Sequence, residues 1–407
     1  MILTRVVPKC HLYSITILIT NKLKRLFLAV SLLLSLSACG DKGRVKEEPP
    51  VPGPRAFACG ADISWVSEME AGGVKFRMAD GSEADIFKVL NESGVNAIRL
   101  RVWVNPVGGR WSGKEDMVAL AKRADAAGMA VMIDFHYSDL FADPQRQIPP
   151  AAWPAFDLAR LQRAVSEHTT EVLTALKSAG VTPKWVQVGN ETRNGMLWPT
   201  GQLWDTRSGF AFSPARADIA GGWQRYITLS NAGYSAVKNV FPETAVLVHI
   251  DNAWDKAASA WWFEQFKKGG GRMDMIGLSH YPRTTVSTWQ QANQAAVDNI
   301  NSLAQTWKVD VMVVEIGMKQ NNPAEATRAM QDFLDRVAPL EACAGVFYWE
   351  PECYGGWKPA FYSLPAYNWN AYDMGAFTPD GRAGSVLGCF STLSVRSGDV
   401  PHPGSES

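Results

Sequence analysis

The regular alternation of short β-branched apolar runs with longer helical patterns limits the fold of this chain more than any other feature. Eight candidate strands are separated by stretches with helical periodicity, and the strands cover residues 58–64, 96–102, 130–136, 185–190, 245–251, 275–280, 311–316 and 345–349. Strands that alternate with helices run parallel, and eight such units close into a ring. The pattern therefore predicts an α/β protein with a (β/α)8 TIM-barrel fold.

The stretches between the strands support the same fold. Helices are predicted over residues 82–93, 114–127, 158–179, 223–239, 257–268, 286–307 and 323–337. Gly94, Gly128 and Gly180 each end a helix just before the next strand, where a left-handed cap is favoured. An open doubly wound sheet is the alternative, but it normally has a glycine-rich phosphate turn after the first strand, and Gly60-Ala61-Asp62 is not one.

The amino-terminal segment has the features of an export signal. Basic residues including Lys24 and Arg25 precede an apolar run over residues 26–38, which is too short to span a bilayer well. The ending Leu36-Ser37-Ala38-Cys39 resembles a bacterial lipoprotein signal, in which Cys39 becomes the lipidated first residue. A plain signal peptide with an incidental cysteine is the alternative, and a second apolar stretch over residues 11–20 leaves the translation start open.

Four segments follow from these patterns. We expect a lipoprotein signal peptide over residues 1–38, an anchored flexible linker over 39–56, a catalytic domain over 57–395 and a disordered tail over 396–407. Proline and charge keep the linker extended. We therefore expect an exported lipoprotein, anchored to a membrane at the outer membrane or the cell surface.

Composition narrows the partners. Hydrophobic residues make up 46% of the 407 residues, and Lys+Arg and Asp+Glu both total 40, so the formal net charge is zero. A neutral chain gives no support for nucleic acid as a partner. The 16 Trp residues fit a carbohydrate groove, because sugar rings stack on indole, although scattered core packing explains any single Trp equally well.

The cysteines of the expected catalytic domain leave two alternatives open. They could pair outside the cytoplasm, and a local bridge between Cys343 and Cys353 is one option. Buried free thiols are the other. The four residues are Cys59, Cys343, Cys353 and Cys389.

Two glutamates stand at the ends of predicted strands on roughly opposite sides of the ring. Glu191 follows Asn190 after the fourth strand, and Glu315 ends the seventh. Catalytic groups of such barrels lie at the carboxyl ends of the strands, and glycoside hydrolysis needs two carboxyl groups that flank the scissile bond. A lone Glu at a strand end is more often a solvated or ion-paired charge. The pair together with Asn190 is more specific and predicts an active-site groove at this end of the barrel.

This arrangement resembles the large clan of retaining barrel hydrolases. By that resemblance Glu191 is the acid/base and Glu315 the nucleophile, a strand-two Arg (Arg101) pairs with Glu315, and a strand-six Tyr (Tyr281) donates to it. Such partners would keep Glu315 ionised while Glu191 stays protonated near neutral pH. The implied outcome is a covalent glycosyl-enzyme and net retention.

Longer motifs are similar to the endo-β-1,4-galactanases of glycoside hydrolase family 53. They extend in order over about residues 58–390 and include Gly60-Ala61-Asp62-Ile63-Ser64-Trp65, Arg99-Leu100-Arg101-Val102-Trp103, Asp134-Phe135-His136-Tyr137-Ser138-Asp139, Gln187-Val188-Gly189-Asn190-Glu191, Gly277-Leu278-Ser279-His280-Tyr281-Pro282 and Tyr348-Trp349-Glu350-Pro351. The resemblance implies a β-1,4-linked galactan as substrate, as in the type I arabinogalactan of pectic side chains.

A set of groove residues is expected to bind the substrate. It comprises Asp62, Trp65, Arg101, Trp103, His136, Asn190, Asp251, Asn252, His280, Tyr281 and Trp349. Trp349 is expected to be the platform beneath the sugar next to the scissile bond, with a core Trp as its alternative. His136 is expected to form a hydrogen bond with the sugar or the nucleophile. Glu350 and Glu352 are expected to be exposed loop acids, with a role at the groove rim as the alternative.

We expect no cofactor or metal, and a monomer. His136, His280 and Asp134 lack metal-ligand spacing. The calcium site of some relatives is not carried over, because the stretch after Glu315 is short. His280 replaces an aromatic residue and Ala253 a glycine of the family pattern. Two alternatives remain: another endo-glycanase of the clan, acting on mannan, cellulose or arabinan, and a surface lipoprotein that binds glycans without catalysis.

Overall fold

The computed structural model describes residues 56–398 apart from 108, 154, 206–217, 283–287 and 361–372. The predicted signal peptide, Cys39, the linker up to residue 55 and residues 399–407 of the predicted tail lie outside the described residues. Among the described residues, none forms a helix that is both long enough and apolar enough to span a bilayer.

Eight parallel strands close into a barrel, which confirms the predicted fold and excludes the open sheet. Each strand pairs with the next along the chain, and the last pairs with the first. The strands are β1 (Ala58–Asp62), β2 (Ala97–Val102), β3 (Ala130–Phe135), β4 (Trp185–Val188), β5 (Ala245–Ile250), β6 (Met275–His280), β7 (Asp310–Ile316) and β8 (Cys343–Trp349).

Helices surround the barrel close to the predicted positions. They are α1 (Val66–Ala71), α2 (Ile86–Glu92), α3 (Lys114–Ala126), α4 (Leu158–Ser178), α5 (Gly222–Val240), α6 (Lys256–Lys268), α7 (Trp289–Trp307), α8 (Pro323–Val337) and α9 (Ser385–Gly398). The sequence reading did not anticipate α1 and α9.

The largest boundary difference lies before α2. The helix was expected from residue 82 but begins at Ile86, because Glu83–Ala84 pairs with Phe76–Arg77 in a short hairpin. Asp85 then caps the helix, since its carboxylate accepts a hydrogen bond from the Phe87 backbone N–H at 2.8 Å. The alternation of apolar and polar residues does not predict this hairpin.

Apolar side chains fill the end of the barrel at which the strands begin. This inner layer consists of Ala58, Ala97, Met132, Trp185, Leu247, Met275, Met312, Val314, Ala344 and Phe347. Phe347 occupies the space beside Gly60 so fully that a Cβ at residue 60 would lie 2.1 Å from its ring. Because this end is closed, polar side chains that point inward can open to solvent only at the carboxyl ends of the strands.

The cysteines that the structure describes are free thiols. All four cysteines among the described residues are buried and unbridged. Burial also raises the pKa of Cys59 to about 12. These thiols therefore act as small core residues, and the alternative of a bridge between Cys343 and Cys353 is not observed.

Candidate active site

A groove of about 790 Å³ opens at the carboxyl ends of the strands. Its volume lies within the range of small-molecule sites. Most of the predicted site residues line it: Asp62, Arg101, His136, Asn190, Glu191, Asp251, Asn252, Tyr281, Glu315 and Trp349. The structure thus brings both candidate catalytic carboxyl groups into one cavity.

Glu315 is the penultimate residue of β7, and a cation and a phenol hold its carboxyl group. Arg99 Nη1 lies 3.0 Å from Glu315 Oε1, and Tyr281 Oη donates to Glu315 Oε2 at 2.8 Å. Arg99 is itself fixed by Asp62 at 2.7 Å and Asp134 at 2.8 Å. Bidentate and multiple contacts of this kind suit a planar guanidinium. The nucleophile candidate is therefore held by Arg99 of β2 and by Tyr281, which directly follows β6.

The expected pairing of Arg101 with Glu315 is wrong. Arg101 forms a buried salt bridge with Glu350, and its guanidinium lies 3.9 Å from the Trp65 ring centroid. Both arginines of β2 point inward because they are two residues apart. Arg101 is nearer the loops, where it meets the chain that follows β8, whereas Arg99 lies level with Glu315.

Glu191 is positioned by hydrogen bonds, and no cation in the part of the chain that the structure describes pairs with its carboxyl group. It lies one residue beyond Asn190 in a left-handed backbone conformation, with φ 43° and ψ 52°. Ser279 Oγ donates to Glu191 Oε1 at 2.7 Å, and the Glu191 backbone N–H donates to His249 Nδ1 at 3.2 Å. The strained backbone turns this carboxyl group into the groove, a common use of such conformations at functional sites.

Irregular pairing of β6 with β7 brings Ser279 between the two glutamates. The register shifts between Leu278 and Ser279, so that Ser279 pairs with Glu315. Irregularities of this kind re-aim side chains next to active sites. As a result Ser279 Oγ lies 2.7 Å from Glu191 Oε1 and 3.5 Å from Glu315 Oε2.

The two carboxyl groups differ in acidity. Burial raises the pKa of Glu191 well above its usual value, and the negative charges of Glu315 and Asp251 add to that rise. Burial also raises the pKa of Glu315, but Arg99 and the Tyr281 hydroxyl oppose the rise. The proton of the pair therefore resides on Glu191, because among the described residues a cation contacts Glu315 and none contacts Glu191.

Three predicted binding residues lie away from the groove. Trp65 and Trp103 are 0% and 1% exposed and pack against each other with centroids 5.7 Å apart. His280 is fully buried behind the barrel wall, where Nε2 lies 2.9 Å from Asn293 Oδ1 and the ring packs on Phe333 at 4.6 Å. Alternation along β6 explains this placement, since Ser279 faces inward and the next residue must face the helices.

The two acids after β8 are also buried rather than exposed. Glu350 and Glu352 are 1% and 0% exposed. Glu352 accepts a hydrogen bond from the Trp65 backbone N–H at 3.2 Å, and burial raises the pKa of Glu352 well above its usual value. The expectation that these two acids are exposed is wrong, because the segment after β8 packs against β1 and β2.

His136 lines the groove, but protein partners occupy both of its ring nitrogens. Nδ1 accepts from the Ala142 backbone N–H at 3.0 Å, so Nε2 donates to Asp134 Oδ2 at 2.9 Å. His136 therefore orients an aspartate that binds Arg99. Among the described residues, no group of three or more His, Cys, Asp or Glu side chains is arranged to hold a metal ion.

Several site residues were missed or left without a role. Arg99, Gln187, His249 and Ser279 connect the two carboxyl groups, and Arg193 pairs with Asp251 at 2.9 Å in the groove wall. A usable signal existed for the first four, because each stands at an inward position near the carboxyl end of a strand. Nothing in the local sequence marks Arg193.

An eight-stranded parallel barrel with two carboxyl groups in one groove at the carboxyl ends of its strands is the architecture of a barrel glycoside hydrolase. The family model for glycosyl hydrolase family 53 matches residues 58–390. The chain therefore belongs to glycosyl hydrolase family 53.

Known proteins show the same relationship. An uncharacterized protein of Niallia circulans is 35% identical over 75% of this chain and 85% of its own length. An arabinogalactan endo-β-1,4-galactanase of Thermothelomyces thermophilus is 32% identical over 72% of this chain and 88% of its own length. A solved fungal β-1,4-galactanase superimposes with a TM-score of 0.68 at 28% identity, over 83% of this chain and 99% of that structure.

Proposed function

We propose that this enzyme hydrolyses internal β-1,4-galactosidic bonds of galactan, including the type I arabinogalactan of pectic side chains. The family match and the curated relatives named as galactanases support this substrate. The observation that carries the mechanism is the carboxyl pair of Glu191 and Glu315, bridged by one hydroxyl at the groove floor.

The chemistry proceeds in two displacements. Glu191 gives its proton to the glycosidic oxygen while a Glu315 oxygen attacks the anomeric carbon, so the C–O bond breaks and a glycosyl ester forms. Glu191, now a carboxylate, then takes a proton from water, whose oxygen attacks the same carbon and releases Glu315. Arg99 and Tyr281 keep Glu315 ionised for the first step.

Retention is supported by the spacing of the two groups. Because Ser279 Oγ lies 2.7 Å from Glu191 Oε1 and 3.5 Å from Glu315 Oε2, these oxygens are no further apart than the two distances combined, about 6 Å. Retaining enzymes hold their carboxyl groups roughly 5–5.5 Å apart, whereas inverting enzymes need about 6.5–9.5 Å to admit water. Proton NMR of the first product should show the β-anomer, and an early α-anomer would refute the mechanism.

The direct test of activity is release of reducing ends by the purified domain. Galactan should be cleaved in preference to mannan, cellulose and arabinan, with Glu191→Gln and Glu315→Gln as inactive controls. Preference for another glycan would replace the substrate proposal, and binding without release would favour a non-catalytic glycan-binding protein.

The reaction as proposed uses only side chains of one chain. Activity should therefore survive exhaustive dialysis against EDTA. We also propose that the protein is a monomer, for which sedimentation should give the mass of one chain. Loss of activity on chelation, restored by calcium, would overturn the first statement. A stable dimer at assay concentration would overturn the second.

We also propose that the protein is exported and anchored through a lipidated Cys39 at the outer membrane or the cell surface, with residues 40–56 as a tether. The proposal rests on the sequence motif around Cys39. The full-length protein should partition with membranes and take up a fatty-acid label. The Cys39→Ala variant should be found in the soluble fraction and should carry no label. Membrane retention of an unlabelled Cys39→Ala variant would contradict the proposal.

A further inference from the structure

A hydrogen-bond circuit connects the main chain of Glu191 to its own carboxyl group through two residues that line the barrel interior. The Glu191 backbone N–H donates to His249 Nδ1 at 3.2 Å, His249 Nε2 lies 2.8 Å from Ser279 Oγ, and Ser279 Oγ donates to Glu191 Oε1 at 2.7 Å. His249 and Ser279 are 0% and 1% exposed, so these two side chains are shielded from bulk solvent, whereas Glu191 faces the groove.

The direction of each bond follows from donors that cannot reverse. A backbone N–H only donates, so the bond from Glu191 makes His249 Nδ1 an acceptor. Gln187 Nε2 also lies 2.9 Å from Nδ1, although Asp134 Oδ1 at 2.7 Å and Asn190 Oδ1 at 3.0 Å compete for its two protons. The amide orientation is fixed because Arg99 donates to Gln187 Oε1. The proton of His249 therefore lies on Nε2, from which it is donated to Ser279 Oγ.

The remaining neighbour of Nδ1 does not change this assignment. Asn190 Oδ1 lies 3.1 Å from Nδ1, but it already accepts from Arg99 Nη2 at 2.8 Å and Gln187 Nε2 at 3.0 Å. Burial and the Arg99 charge also lower the pKa of His249 well below its usual value, so the imidazole carries one proton.

The Ser279 hydroxyl has a single proton, and two carboxyl groups lie next to it. Since its lone pair accepts from His249, the proton is directed to Glu191 Oε1 at 2.7 Å rather than to Glu315 Oε2 at 3.5 Å. An Oε1 that accepts this bond is the carbonyl-type oxygen of a carboxylic acid. The carbonyl-type oxygen is the better acceptor, so this bond favours Oε2 of Glu191 as the oxygen that carries the acid proton.

We propose that His249 and Ser279 are positioning residues that assign the acid proton of Glu191 to Oε2 and hold that oxygen toward the leaving group. This inference rests on the hydrolytic function proposed above. The same bond favours Oε2 as the site that later accepts the proton of water. The negative charges of Glu315, Asp251 and Asp143 also raise the pKa of Glu191. Arg193 pairs with Asp251 and offsets part of the negative charge of Asp251.

The test exploits the leaving group. Protonation by Glu191 is needed to expel a sugar alcohol but hardly at all to expel dinitrophenolate, and kcat/KM reports only the steps up to the first bond cleavage. Ser279→Ala should lower kcat/KM on galactan by about 10- to 100-fold and on dinitrophenyl β-galactobioside by less than about threefold. His249→Asn should show the same split, because it removes the donor that orients the hydroxyl.

The controls separate the outcomes. Ser259→Ala removes a buried serine hydroxyl that contacts Asn299, and it should leave both substrates unaffected. An equal loss on both substrates, or no loss on galactan, would overturn the positioning role. Wild-type protein that fails on galactan would instead overturn the proposed function. Should Ser279→Ala fail to fold, Ser279→Cys, which has a slightly larger side chain and a poorer donor, must show the same split or the inference is wrong.

Discussion

Glu315 and Glu191 lie within reach of the same serine hydroxyl, yet the two sides of the groove treat them differently. The Glu315 side supplies the Arg99 cation and the Tyr281 phenol, whereas the Glu191 side supplies a hydroxyl backed by His249. Contact with a cation stabilises a carboxylate, and buried neutral donors without one leave a carboxylic acid favoured. Two chemically identical side chains thereby become suited to opposite roles.

The largest expected effect comes from removing the carboxyl groups themselves. Glu315→Gln should abolish cleavage of both galactan and dinitrophenyl β-galactobioside, by at least ~10⁴-fold, because no ester can form. Glu191→Gln should lower kcat/KM on galactan by about 10²- to 10⁴-fold and leave the activated substrate nearly unchanged. Equal losses for the two variants on both substrates would remove the distinction between the two sides.

A smaller effect is expected from weakening the cation on the Glu315 side. Arg99→Lys keeps the charge but loses the fork that binds Glu315, Asp62 and Asp134 together. We expect a loss of about 10²- to 10³-fold in kcat/KM. The acid limb of the pH profile should move to higher pH, because Glu315 is then less stabilised as an anion. An unmoved limb in a variant with wild-type melting would contradict this role for Arg99.

Removing the Tyr281 hydroxyl should lower kcat/KM and raise the acid limb as Arg99→Lys does, but by less. Burial and the negative charge of Glu315 raise the pKa of Tyr281 well above its usual value, so it remains a neutral donor. Tyr281→Phe removes that donor without opening a cavity. We expect a loss of roughly 10- to 100-fold and an acid limb shifted to higher pH, measured as kcat/KM against pH. An acid limb shifted to lower pH would contradict the assignment of Tyr281 as a donor that stabilises the Glu315 carboxylate.

The smallest effect on catalysis is expected at Arg101, the arginine that the sequence analysis expected to pair with Glu315. Glu350→Gln breaks its buried ion pair and should lower the free energy of unfolding by about 3–5 kcal/mol, measured by urea denaturation. Neither limb of the kcat/KM profile should move by more than a few tenths of a pH unit. A shift as large as that of Arg99→Lys would show that Arg101 also controls Glu315.

Much of this organisation was accessible from the sequence because it depends on period and order. Strand–helix alternation predicts the barrel, and the positions of Glu191, Glu315 and Tyr281 at strand ends predict which side chains share the groove. The choice between Arg99 and Arg101 depends on depth within the barrel. Both arginines satisfy the same alternation, so only the three-dimensional register separates them.

Other errors arose where packing overrides residue type. Trp65 and Trp103 have the character of sugar platforms but fill the space around Arg101. Glu350 and Glu352 have the character of surface acids but are enclosed with them. The alternation of β6 marks Ser279 as an inward residue, but its position between the two glutamates depends on an irregularity in the pairing of β6 with β7, which no pattern of residues reveals.

The most direct test of the opposed roles is azide rescue with dinitrophenyl β-galactobioside, followed by NMR of the glycosyl azide. In Glu191→Ala, azide should restore turnover and give the β-azide, because Glu315 still forms the ester and azide displaces it. In Glu315→Ala, azide should attack directly and give the α-azide. The opposite stereochemistry, or the same anomer from both variants, would contradict the assignment of Glu191 as acid/base and Glu315 as nucleophile.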